Sequence, residues 1–153
     1  MKRSIGVIGG SRAGGDILQM AEKVGEGIAE NGAILVCGGR SGVMEAACRG
    51  AKNRGGTTVG ILPGDTRDQA NRYVDIPIVT GMGVGRNVIV VRSSQVAIAI
   101  DGSYGTLSEI AYALQLGIPV IGLRTWEFTD KIQIVETPEE AVGLAVSMLA
   151  ANE

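Results

Sequence analysis

Short, uniformly apolar runs alternate along this chain with longer segments whose apolar residues recur every three or four positions. The runs at 3–9 (RSIGVIG), 33–37, 57–62, 76–80, 95–100, 119–123 and 132–135 are rich in Ile and Val and read as buried strands. Between them, Ile17, Leu18, Ala21, Val24, Ile28 and Ala29 predict a helix over 16–31, stopped by Asn31-Gly32. Val43, Met44, Ala47 and Ala51 share one face of a second helix over 42–54. Residues 84–94 contain a β-branched stretch, yet a helix is expected there, because parallel neighbours need a crossover between them. Thr106 then reads as an N-cap with Glu109 in the capping-box position. Leu107, Ile110, Ala111 and Leu114 give that helix an apolar face, and Gly117 and Pro119 close it. Thr137-Pro138-Glu139-Glu140 opens the last helix with an N-cap, an early proline and a capping-box glutamate.

Residues 63–75 are polar and aperiodic, which predicts a long surface loop with a binding role. Strands alternating with helices, the strands apolar throughout, predict a single α/β domain over residues 1–153. Its doubly wound, mainly parallel sheet should have about six or seven strands.

Composition narrows the function. Glycine supplies 24 of 153 residues, roughly twice the ordinary share of about 7%. There is no histidine, which removes Ser-His-Asp and Cys-His catalysis and imidazole-based zinc sites. A net charge of -2 argues against a nucleic-acid partner, which selects for a basic face. No run is long enough for a membrane span or a signal peptide, so a cytoplasmic protein is expected. Cys37 and Cys48 form no Cys-x-x-Cys motif and read as small buried residues. No metal site is expected. The mean hydropathy of +0.23 and the apolar stretch 141–149 suggest a homo-oligomer, a dimer or tetramer.

The glycines cluster where strands end. Four turns, at 9–15 (GGSRAGG), 38–42 (GGRSG), 81–87 (GMGVGRN) and 101–106 (DGSYGT), each precede a predicted helix. Glycine lets backbone N–H groups approach an anion, and a helix N-terminus adds about half a positive charge. In an open α/β sheet such turns border the ligand crevice. The expected phosphate-binding residues are Gly10, Ser11 and Arg12, then Gly38, Gly39, Arg40, Ser41 and Gly42, then Asp101, Gly102, Ser103, Tyr104, Gly105 and Thr106. The first turn lacks the Lys-Ser/Thr ending of a P-loop. The second strand ends in Cys37-Gly38-Gly39-Arg40 instead of the acidic residue of an ordinary NAD site.

Two of these segments carry a family resemblance. Gly38-Gly39-Arg40-Ser41-Gly42-Val43-Met44 and Gly102-Ser103-Tyr104-Gly105-Thr106-Leu107-Ser108-Glu109 resemble the G-G-x-x-G-x-M and P-G-G-x-G-T-x-x-E signatures of the LOG-like proteins, Rossmann-type proteins formerly described as lysine decarboxylases. Leu62-Pro63-Gly64, Asn71-Arg72-Tyr73-Val74-Asp75-Ile76 and Thr80-Gly81-Met82-Gly83 resemble the short branch that includes the molybdenum-cofactor carrier proteins. The resemblance implies two functions. One is a carrier or sensor that binds a nucleotide or the molybdenum cofactor through a phosphate cradle, needing no further cofactor. The other is a phosphoribohydrolase that splits a nucleoside 5′-monophosphate into free base and ribose 5-phosphate.

For the second, the resemblance implies Arg86 and Glu109 as catalytic residues. A carboxylate could stabilise oxocarbenium character on the ribose while an arginine fixes the phosphate or leaving base. Each residue also has a plainer reading, Glu109 as the capping partner of Thr106 and Arg86 as a phosphate ligand. Asp101 stands where the signature has proline and Ser103 replaces its second glycine. These departures bear on hydrolysis more than on phosphate binding. Tyr104 and Trp126 are candidates to stack on a base or pterin, or to pack at a subunit contact.

Overall fold

The computed structural model describes residues 1–152 as seven strands and five α-helices. In chain order these are β1 (Ser4–Gly9), α1 (Gly15–Glu30), β2 (Ile34–Cys37), α2 (Val43–Asn53), β3 (Thr58–Leu62), β4 (Ile76–Val79), α3 (Asn87–Arg92), β5 (Val96–Ile100), α4 (Tyr104–Gln115), β6 (Val120–Leu123), β7 (Ile132–Val135) and α5 (Pro138–Ala151). The sheet order is β4-β3-β2-β1-β5-β6-β7, and all pairs are parallel.

Burial on both faces explains why β1, β2, β3, β5 and β6 are continuously apolar. The edge strands β4 and β7, expected to be buried, leave Ile76, Ile78, Val79 and Ile134 exposed, because each has a neighbour on one side only. Ile5 and Val7 of β1 face α1, α2 and α5, whereas Ile8 faces the opposite layer with Val90 and Val91 of α3 and Ile110 and Ala113 of α4. The expected helix at 84–94 is present as a 3-10 turn, Gly83–Arg86, continued by α3. Its crossover role outweighs the strand propensity of Val88–Val91, because Val90 and Val91 are wholly buried under the sheet. The 63–75 loop carries a 3-10 turn at Arg67–Gln69 and is tied down where Asn71 donates its backbone N–H to Gly39 O (2.8 Å) and Nδ2 to Arg40 O (2.8 Å).

Three expectations change. The helix after β5 begins at Tyr104 with Ser103 as N-cap, so Thr106 is an internal first-turn residue and Glu109 is not its capping partner. On that helix Ala113 is buried and Ala111 exposed, because the face set by Ile110 points between β1 and β6. The apolar positions of α5 are also taken up inside the chain: Ala141, Val142, Ala145 and Leu149 are buried in the same core layer as α1. That stretch therefore supplies no argument for an oligomer.

Glycine does a second job that periodicity hid. A Cβ on Gly25 of α1 would lie 1.9 Å from Ala47 O, and one on Gly50 of α2 would lie 1.9 Å from Glu22 O. The two helices thus touch backbone to backbone at reciprocal glycines. Gly25→Ala and Gly50→Ala should each destabilise the fold by about 1–3 kcal/mol or more, the range for overpacking, seen as a lower urea midpoint at unchanged slope. Gly143 of α5 is exposed, and a Cβ there would meet no atom within 4 Å. Gly143→Ala should instead stabilise by about 0.5–1 kcal/mol through helix propensity.

Candidate functional site

β1 and β5 lie side by side, but their following helices pack on opposite faces and lead to opposite halves of the sheet. That divergence leaves a crevice beyond their carboxyl ends. Here it is a cavity of about 260 Å³ walled by Gly9, Gly10 and Ser11 at the end of β1, Gly38 after β2, Arg86 and Asn87 at the start of α3, and Ser103, Gly105, Thr106 and Glu109 at the start of α4.

Local backbone chemistry makes this wall. Gly42 adopts φ +71°, and a Cβ there would lie 2.3 Å from Gly10 O, so glycine alone lets the first two turns touch. Val43 N–H then donates to Gly10 O (3.0 Å) and locks them together. Neither α2 nor α4 has a side-chain cap. α5, by contrast, is capped by Thr137, whose side chain accepts from Glu140 N–H. Uncapped first-turn N–H groups are where a helix receives an anion.

Arg86 crosses the crevice as a strut. Its Nε donates to Ile61 O (2.9 Å), Nη2 to Gly38 O (3.4 Å) and Nη1 to Asn87 Oδ1. Asn87 is buried and donates through Nδ2 to Ser108 Oγ (3.1 Å), which donates to Gly105 O (2.6 Å). The guanidinium is thus held between the end of β3 and the first turn of α4. Glu109 lies on the floor, 7% exposed. Burial pushes its carboxyl up to about 8, against the opposing pull of the Arg86 charge. Near neutral pH it is mainly the protonated acid.

The expected residues separate into groups. Gly10, Ser11, Gly38, Ser103, Gly105 and Thr106 meet at the crevice with Arg86 and Glu109. Arg12, Arg40 and Ser41 line a larger adjoining cavity of about 680 Å³, which shares Ser11, Met44, Val84 and Arg86 with the first. Gly39 and Gly42 line neither cavity and shape the backbone beneath; Gly39, at φ +77°, sits against Gly60 of β3. Asp101 and Gly102 open onto a side cavity with Arg12. Tyr104 is exposed and stacks on Trp126, with ring centroids 6.5 Å apart, while Trp126 Nε1 donates to Ser103 O (3.1 Å). Cys37 and Cys48 are buried free thiols, Sγ to Sγ 3.5 Å.

Sequence reasoning missed Met44, Val84, Asn87, Pro63, Gly64 and Gln69 as lining residues. Met44 and Asn87 stand within or beside the glycine-turn motifs, so their positions were legible. Pro63, Gly64 and Gln69 come from the 63–75 loop, for which a binding role is expected, but nothing local singles out Gln69 within it.

The Glu109 carboxyl makes stability depend on pH. Its folded value of about 8 exceeds the ordinary 4.5, so the unfolded chain releases this proton first as pH rises. Its contribution is complete below about pH 4.5 and is lost progressively up to about pH 8. With about 1.4 kcal/mol for each tenfold change in proton affinity, the loss is on the order of a few kcal/mol. Wild type should melt at lower temperature at pH 8.5 than at pH 5. Glu109→Gln, which cannot ionise, should flatten that difference; equal pH slopes in the two proteins would refute the assignment.

The SLOG cluster4 family profile matches residues 2–151. Among solved structures, the fold is similar to the molybdenum cofactor binding protein of Rippkaea orientalis, with TM-score 0.92 and 40% identity over 97% of this chain and 98% of that one. It is also similar to the molybdenum cofactor carrier protein of Chlamydomonas reinhardtii, with TM-score 0.90 and 38% identity over 98% and 99% of the two chains. In sequence, an uncharacterized protein of Archaeoglobus fulgidus is 47% identical over 94% of each chain. The cytokinin riboside 5′-monophosphate phosphoribohydrolase of Mycobacterium tuberculosis is 32% identical over 77% of this chain and 68% of that protein. With the family profile spanning nearly the whole length, the chain belongs to the SLOG cluster4 family.

Proposed function

We propose that this protein binds and carries a phosphorylated, nucleotide-like small molecule, with the phosphorylated pterin of the molybdenum cofactor as the leading candidate. The observation that carries this reading is the charge balance of the switch-point crevice. Glycine-turn amides, the uncapped start of α4 and the Arg86 guanidinium gather around it, and its one carboxyl, Glu109, is held protonated by burial. A crevice with a neutral acid on its floor accepts a phosphate without like-charge repulsion. The carrier and cofactor-binding names of two solved structures at 38–40% identity favour the pterin among phosphorylated ligands.

The residues divide the work. Backbone N–H groups at Ser103–Thr106 and Gly10–Ser11 would hold phosphate oxygens, and Arg86, already fixed by Ile61 O and Gly38 O, would present its charge without first being ordered. Protonated Glu109 would donate a hydrogen bond to the ligand. When carried, the cofactor brings its own redox chemistry, and this chain supplies binding and shielding.

A second reading is supported by Glu109 and Arg86 facing one cavity and by the Mycobacterium tuberculosis relative. As a phosphoribohydrolase, the protein would break the C1′–N bond. Water would add at C1′, the leaving base would take the proton that Glu109 holds, and the proton lost by the water would return to the Glu109 carboxylate.

Thermal melting of the full chain with molybdopterin, AMP, GMP and inorganic phosphate tests the first reading. A ligand at about one hundred times its Kd should add about 2.7 kcal/mol, a rise of roughly 5–10 °C at 2–4 °C per kcal/mol. Ser11→Glu, which places a carboxylate where the two cavities join, should abolish the rise. No shift with any of the four would overturn the proposal. Chromatography of AMP incubations separates the two readings. Intact AMP is expected for a carrier, whereas adenine release that disappears in Glu109→Gln would establish the hydrolase.

A further inference from the structure

We propose that the larger cavity beside the switch point is a second phosphoryl subsite, so that the preferred form of the phosphorylated ligand is the one extended through a diphosphate to a nucleoside-like half. This rests on the binding function proposed above and specifies the ligand class of that same cleft.

The two cavities form one continuous cleft, because Ser11, Met44, Val84 and Arg86 line both. At about 260 Å³ the inner part is small for a whole nucleotide, and the outer part adds about 680 Å³, which brings the cleft into the range of cofactor sites. A monophosphate ligand seated in the inner crevice would leave the outer cavity without a partner.

Charge says what the outer cavity takes. Arg12, Arg40 and Arg86 line it, and no Asp or Glu does. Among the described residues none of the three forms an ion pair. Acidic groups on its borders are Glu45, in a side pocket with Arg40, Asp101, in a side pocket with Arg12, and Glu109, on the floor of the inner part with Arg86. Arg40 is anchored only by a long bond from Nη1 to Gln69 O (3.4 Å). Three guanidiniums on one wall with no carboxylate among them are matched by a polyanion. Arginine forks match phosphoryl oxygens two at a time.

The same wall asks for a hydrogen-bond donor beyond the phosphate. Gln69 Oε1 is buried with no hydrogen-bond partner. Gly64 makes room for it, since a Cβ there would sit 1.9 Å from that oxygen. A buried acceptor left alone is unfavourable, and turning the Gln69 amide out from Gly64 would let a ribose hydroxyl or a base N–H in the outer cavity satisfy it. Inorganic phosphate or diphosphate alone would not, which is why a second nucleoside-like half is inferred.

Isothermal titration of the full chain with four probes tests this: inorganic phosphate, pyrophosphate, AMP and P1,P2-di(adenosine-5′) diphosphate. Pyrophosphate should bind at least ten-fold more tightly than phosphate, and the dinucleotide at least ten-fold more tightly than AMP. Arg12 and Arg40 are exposed and make little internal contact, so the variant R12A/R40A should melt like wild type. It should lose ten-fold or more in affinity for the two diphosphates while holding phosphate and AMP within two-fold. If AMP binds but the dinucleotide gains nothing, or if the variant weakens all four equally, the second subsite is refuted and the binding function stands. If none of the four binds while molybdopterin still raises the melting temperature, the second subsite falls and the binding function stands; if molybdopterin fails as well, both fall.

Discussion

Backbone must approach backbone more closely than any Cβ allows, and the architecture of this protein follows from that constraint. It operates twice on one side of the sheet, where Gly25 and Gly50 let α1 and α2 cross in direct contact. It operates again at the sheet edge, where Gly42 packs on Gly10 and Gly39 on Gly60. The first pair draws the two helices together. The second draws together the turns from which those helices start. Because helix positions and turn positions are coupled through the same elements, the glycines that stabilise the fold also bring separate loops into one wall.

The charge of that wall comes by subtraction as much as by addition. α4 begins without a side-chain cap, so its first N–H groups are left open to the crevice, while the first N–H of α2 is taken by Gly10 O. Among the described residues, the guanidiniums of Arg12, Arg40 and Arg86 line the cleft without carboxylate partners. The one carboxyl on the floor is neutralised by its own burial. Were Glu109 as accessible to water as an ordinary surface glutamate, it would be ionised and would oppose any anion entering the crevice. Burial therefore decides its role, by changing which protonation state the ligand meets.

Much of the fold was legible because the inner strands are buried on both faces and the helices on one, and these two patterns differ strongly in period. The segment 84–94 was ambiguous by propensity, and the need for a crossover resolved it correctly. The Thr106–Glu109 pair misled for a physical reason. Spacing of this kind marks a capping box only when the first residue lies outside the helix, and the α4 start at Tyr104 puts Thr106 inside. A local motif cannot say where its helix begins when the preceding turn, with Asp101 at φ 51° and Gly102 at φ 103°, sets the entry of the chain.

The sequence by itself determined the alternation of strand and helix, the parallel sheet and the glycine turns at its carboxyl edge. These are consequences of local chemistry, of side-chain period and of which residues permit a turn, whereas the candidates Arg86 and Glu109 rest on the family resemblance. Only the tertiary structure decided that Arg86 is a strut between β3 and α4, that Glu109 is a buried acid, and that Gln69 reaches the cleft from a distant loop. It also separated Gly39 and Gly42, which shape the backbone, from Ser11 and Thr106, which face the cavity. Those distinctions depend on burial and on distances between residues far apart in the chain, and neither is a property of any one segment.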